Sequence, residues 1–193
     1  MSQSRFDICT RALQRIGADA ISSFDDDTTE SDIAGREYDP LVETLLSEYR
    51  WRFATKDVEL NHLTEAPNVG YDEYWQLPAD LLDLHGVFLA DSTAIQYERR
   101  QDKIATDYNE NNRLFAVYTA KFAESYWPAY FVEVVTQALE VVFAQAIARD
   151  EKLSSARREH LEKVTKPMAR SRDSQQQTSR QFPASRLVAI RSI

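Results

Sequence analysis

The sequence predicts an α+β fold that is mainly α. Three observations carry this expectation. Apolar residues recur at helical spacing in two blocks, one before residue 52 and one after residue 123. Between the blocks lie short apolar and aromatic runs of strand character, separated by turn residues. Near residue 173 the composition becomes polar, then basic and apolar. The expected architecture is a helical bundle of N-terminal helices and a C-terminal helical hairpin. A small antiparallel β-sheet is inserted in it, and an extended C-terminal tail follows. As domains, residues 1–52 and 123–172 form the helical lobe, 53–122 the β lobe and 173–193 the tail.

Residues 4–16 read as the first helix. Ser2 or Ser4 can cap it, Phe6, Cys9, Leu13 and Ile16 share one face, and Gly17 stops it. Residues 21–27 read as a loop. Its Asp25-Asp26-Asp27 precedes a helix start, where carboxylates favour the positive end of the dipole. The triplet lacks the alternation and closing Glu of a calcium loop. A long helix is expected over 29–50, with Ile33, Tyr38, Leu41, Val42, Leu45, Leu46 and Tyr49 at helical spacing. Pro40 inside it should kink or split it.

Residues 53–60, 71–76, 84–90, 95–98 and 114–122 read as strands, and 61–70 as a turn-rich link. Leu77-Pro78 ends the aromatic strand, because the residue before proline avoids the helical region. Residues 131–149 give the strongest helix, with Tyr126-Trp127-Pro128 marking its start. A second helix over 154–168 completes the expected hairpin.

The chain has 193 residues, of which 43% are hydrophobic, enough to bury one sizeable core. A net charge of -8 argues against a general nucleic-acid-binding surface. Residues 151–193 hold ten basic and four acidic side chains, so an acidic body carries a basic end. That end can pair with the body of another subunit or simply be solvated. The lone Cys9 rules out an internal disulfide, and with three scattered histidines (His62, His85, His160) it makes no metal set. No signal peptide is expected, since no charged region leads into an apolar run. Residues 134–148 are interrupted by Gln137, Glu140 and Gln145, so no bilayer span is expected.

Glu133 and Glu140 are seven residues apart on one helix, about 10 Å along the axis. Two carboxylates are the equipment of a glycosidase. On a single helix face they read instead as a solvated edge or a subunit contact. Catalytic, metal-binding and cofactor-binding residues are therefore expected to be none. Trp51 and Phe53, at the junction of helix and sheet, and Trp75 and Pro78, at the end of the aromatic strand, read as structural hinge residues.

The pieces, taken in order, resemble a known family. An N-terminal helix carries Ala12-Leu13-Gln14-Arg15-Ile16-Gly17. A long helix runs through Leu45-Leu46 into Trp51-Arg52-Phe53-Ala54. An aromatic strand reaches Gln76-Leu77-Pro78-Ala79-Asp80. A helix follows around residues 138–148, then Ala169-Arg170-Ser171. Over residues 4–173 this is similar to the head-to-tail adaptors of tailed phages, in particular the tail tubular protein A and tail accessory factor family. Related adaptors occur in gene transfer agents.

The resemblance implies a structural protein of the virion and no enzyme. It implies a ring of about twelve copies beneath the portal, assembled in the host cytoplasm, with a tail or nozzle protein below. Genomic DNA would pass through the lumen without specific binding, and no membrane or cofactor is involved. The helical lobe would form the ring wall and the sheet would point toward the tail. The C-terminal tail would dock on the portal or a neighbouring subunit through Arg172, Arg180, Phe182, Arg186, Leu187 and Arg191. Simple disorder of that tail is the other reading. An acidic body would keep DNA from sticking, although acidic surfaces also serve solubility alone. Two other functions stay open: a helical interaction or regulatory protein without a ring, and a peptidoglycan-degrading enzyme. Some relatives are credited with cell-wall cleavage, which no residue of this chain supports.

Overall fold

The computed structural model of the chain describes residues 4–176. These residues are 45% helical and 20% strand, arranged as four helices and two small antiparallel sheets. Helix α1 spans Arg5–Arg15. The Ser4 hydroxyl accepts the Asp7 N–H at 3.2 Å, and the Asp7 carboxylate accepts the Ser4 N–H at 2.9 Å. This reciprocal pair satisfies two amides that the helix start leaves unbonded. At the other end Gly17 adopts φ +78°, and the Gly17 and Ala18 amides close back on Gln14 and Leu13. That left-handed cap is the reason a glycine stands there. Ile8, Cys9, Ala12 and Leu13 form the buried face, with Phe6 and Ile16 at its edge.

Helix α2 spans Thr29–Ser47 and is capped by Thr28. Pro40 does not split it. Tyr38, Val42, Leu45 and Leu46 are buried on either side of the proline, and this packing holds the helix across one missing N–H. The helix ends earlier than residue 50 because the indole N–H of Trp51 donates to the Leu45 carbonyl at 2.8 Å, satisfying a group of the last turn.

A 3₁₀ turn over Arg52–Ala54 takes the place of the expected strand start. The strands are β1 Thr55–Glu59, β2 Asn61–His62, β3 Glu73–Gln76, β4 Leu81–Leu89, β5 Glu98–Arg100, β6 Lys103–Thr106 and β7 Leu114–Ala120. They form two sheets rather than one, in the orders β1-β7-β4 and β2-β3-β6-β5. β2 and β6 lie in segments without a strand pattern of their own. Their pairing with β3 recruits them, since a strand edge exposes amides and carbonyls that need partners. The expected strand over 95–98 shifts to β5 for the same reason, because only Glu98–Arg100 reaches β6.

Helix α3 spans Ala129–Ala146, with Pro128 at its N-cap. The last helix is longer than the expected 154–168. It runs as α4 Glu151–His160, a π turn over Leu161–Thr165, and α5 Lys166–Ser174. The tail boundary at residue 173 therefore falls inside α5. Three side chains tie this helix to α3 in opposite chain order. Ser154 donates to the Val141 carbonyl at 3.1 Å, Thr165 to Gln137 at 2.6 Å, and Tyr130 to Asp173 at 2.8 Å.

Two apolar cores result. One gathers α1, α2, α3, Trp51 and Ala169. The other gathers Leu60, Trp75, Leu77, Val87, Ile104, Leu114 and Tyr118 between the strands. Phe122 packs against both. Among the described residues, α3 has the length and apolar content to cross a membrane, yet 67% of it is buried inside the protein.

Candidate functional site

Trp51 sits where α2 gives way to the sheets. It is 2% exposed, and its ring lies 4.9 Å from Tyr49 and 5.1 Å from Phe131. Phe53 packs on Phe131 at 4.9 Å. With Trp51 turned inward, the residues beside it in the chain face solvent. Tyr49, Arg50, Arg52 and Thr55 line a cleft of about 660 Å³. Arg170 of α5 lies over the Tyr49 ring at 5.3 Å. The Arg52 backbone is tied by Asp173, which is fully buried. It accepts the Arg52 backbone N–H at 3.0 Å and the Tyr130 hydroxyl at 2.8 Å. On the sheet side, burial and the charge of Arg50 push the His85 imidazole below its ordinary pKa, against a smaller opposing effect of Asp83. Its ring meets the Thr119 hydroxyl at 2.8 Å.

Trp75 and Pro78 belong elsewhere. Trp75 is in the sheet core and donates to the Tyr108 carbonyl at 2.9 Å. Pro78 is half-buried and opens the turn that delivers Asp80. Asp80 accepts Lys56 at 2.8 Å and the Tyr118 hydroxyl at 2.9 Å, and these bonds hold its carboxyl below the usual range. The structure thus places Trp51 and Phe53 at the helical core, Trp75 in the sheet core and Pro78 in neither.

The two carboxylates of α3 share one partner. Arg15 reaches Glu133 at 2.8 Å and Glu140 at 3.0 Å, and Arg157 approaches Glu140 at 3.2 Å. Glu140 has no exposed surface, so it is not part of a solvated edge. The cause is the helix that follows, which covers α3 and brings Arg157 over it. Burial raises the Glu133 pKa, but hydrogen bonds from Arg15 and Gln137 outweigh it and leave the carboxyl below its ordinary value.

No family model matches the chain, and no curated protein matches it. Among the described residues, no three His, Cys, Asp or Glu side chains stand together to hold a metal. In the acidic loop, Asp26 instead accepts the Ser22 and Ser23 amides at 2.8 Å.

A second surface lies along the π turn. Tyr130, Val164, Met168, Ala169, His160 and Arg172 line a groove of about 240 Å³, where Met168 is 53% and Val164 40% exposed. Arg172 is thus placed on α5. The other expected docking residues, Arg180, Phe182, Arg186, Leu187 and Arg191, lie outside the described residues. The arginine cleft and this groove were missed in the sequence. The Tyr49-Arg50-Trp51-Arg52 run held the only signal, an inward tryptophan between two charges. The π turn left no signal at all.

Proposed function

We propose that the protein is a structural head-to-tail adaptor of a tailed phage or phage-like particle. The observation that carries this reading is the order of parts. Two helices, an inserted strand region and two further helices follow one another, and the helices on either side of the insertion share one core through Trp51 and Phe131. This is the order that the family resemblance implies. In this reading the helical lobe of residues 1–52 and 123–172 forms the wall of a ring of about twelve copies. The β lobe faces a tail or nozzle protein, and the tail docks on the portal or a neighbouring subunit. DNA crosses the lumen without specific binding, favoured by the acidic body. The paired state of Glu133 and Glu140 speaks against the peptidoglycan-degrading alternative. A glycosidase acid needs a raised pKa, and that of Glu133 is lowered.

The test is native mass spectrometry of the full chain mixed with the portal of the same particle. The expected result is a portal complex carrying about twelve added copies. A portal that gains no copies rejects the adaptor and leaves the regulatory protein without a ring. Clearing on a peptidoglycan gel would establish the enzyme instead.

A further inference from the structure

The groove beside the π turn lies at the end of the described chain. His160, Val164, Met168 and Arg172 follow one another at four-residue steps and form one exposed stripe. Tyr130 and Glu133 of α3 stand on the facing wall. The same helix buries Leu161, Thr165 and Ala169, so its packing on the core leaves this stripe uncovered. Val164 and Met168, in the middle of the stripe, are among the large apolar side chains that stay exposed. α5 ends at Ser174, just past Arg172, so the chain leaves the helix at one end of the groove. Residues 177–193 follow. They include Phe182, Leu187, Val188 and Ile190, with three arginines and no acidic residue, so all 31 acidic side chains of the chain precede them.

We propose that the C-terminal segment of the same chain folds back into this groove, with Phe182 and Leu187 covering Val164 and Met168. The segment reaches far enough. Val164 lies about 15 Å from Ser174 along the helix, and the six residues from Gln176 to Phe182 span up to about 20 Å when extended. Tethering at the mouth of the groove gives the segment an effective concentration of about a millimolar, which favours it over a free peptide of the same composition. Its positive charge suits an acidic body, whereas an acidic partner helix would meet repulsion there. The tail of a second copy offers the same side chains without the tether. Docking of this kind belongs to the isolated chain, and ring formation plays no part in it.

The experiment is limited trypsin digestion of the full chain, without any partner, with cleavage after Arg186 followed by intact mass. Cleavage tracks the fraction of chains whose tail is undocked. Met168→Glu and Phe182→Ser are each expected to speed it about tenfold, the worth of one large apolar side chain in the groove. Val69→Glu, an equally apolar exposed site in the loop before β3, is expected to leave the rate unchanged. Met168 is half exposed, so its replacement spares the core, and circular dichroism verifies the fold of each variant. The wild-type rate is expected to stay constant on tenfold dilution, because the contact lies within one chain. Equal rates in the wild type and in folded Met168→Glu and Phe182→Ser overturn the proposal. So does protection that fades on dilution, which would assign the groove to the tail of a second copy.

Discussion

A carboxylate in a helical core needs a counter-charge close by, because desolvation makes an isolated one prohibitively unfavourable. Glu140 meets this need with Arg15 and Arg157, from helices on two sides of α3. Glu133, at the rim, shares Arg15 and keeps a lowered pKa. The sign of its pH effect follows. Its folded pKa lies below the unfolded value, so its stabilisation is present above the unfolded value of about 4.3 and is lost as pH falls through the lower folded one. Glu133→Gln is expected to flatten the decline of stability between about pH 5 and pH 2. Urea unfolding across that range measures it, and an unchanged slope would refute the assignment. Spacing in the sequence placed both carboxylates on one helix face. It did not tell which one a later helix would cover, since Arg157 is seventeen residues beyond Glu140 and carries no pattern pointing to it.

Elements here are set by what they touch as much as by their own residues. α1 is fully local, with its capping pair and its terminal glycine within the helix and its flanks. α5 is the opposite case. Its stretch Ser171-Arg172-Asp173-Ser174 is polar and gives no apolar face, yet Asp173 is fully buried. The carboxylate anchors the helix end by accepting the Arg52 amide and the Tyr130 hydroxyl. Asp173→Ala leaves both donors unmatched and is expected to cost about 3 kcal/mol. Denaturant midpoints of Asp173→Ala, Tyr130→Phe and the double variant check this. Strictly additive losses would show that the two groups are not coupled. The seven strands lie between these extremes. β3, β4 and β7 carry apolar or aromatic runs, whereas β2 and β6 exist through pairing.

At the scale of the molecule, two cores meet at Phe122, and Lys121 beside it pairs with Asp39 and Glu43 of α2. A shared aromatic and crossing ion pairs couple the layers, so they are expected to unfold together. Trp51 and Trp127 report the helical core and Trp75 the sheet core. In the variant Trp51→Phe/Trp127→Phe, Trp75 fluorescence and helical circular dichroism should give the same midpoint. Two separated midpoints would show independent layers. Local patterning in the sequence determined α1 with its caps, the body of α2 and α3, and the presence of strands between them, because these depend on residues within a few positions of one another. The division into two sheets, the burial of Glu140 and Asp173, and the placing of Arg170 over Tyr49 were decided by tertiary structure alone. Each joins groups far apart in the chain, and such pairings are selected by packing, hydrogen-bond satisfaction and charge balance in three dimensions.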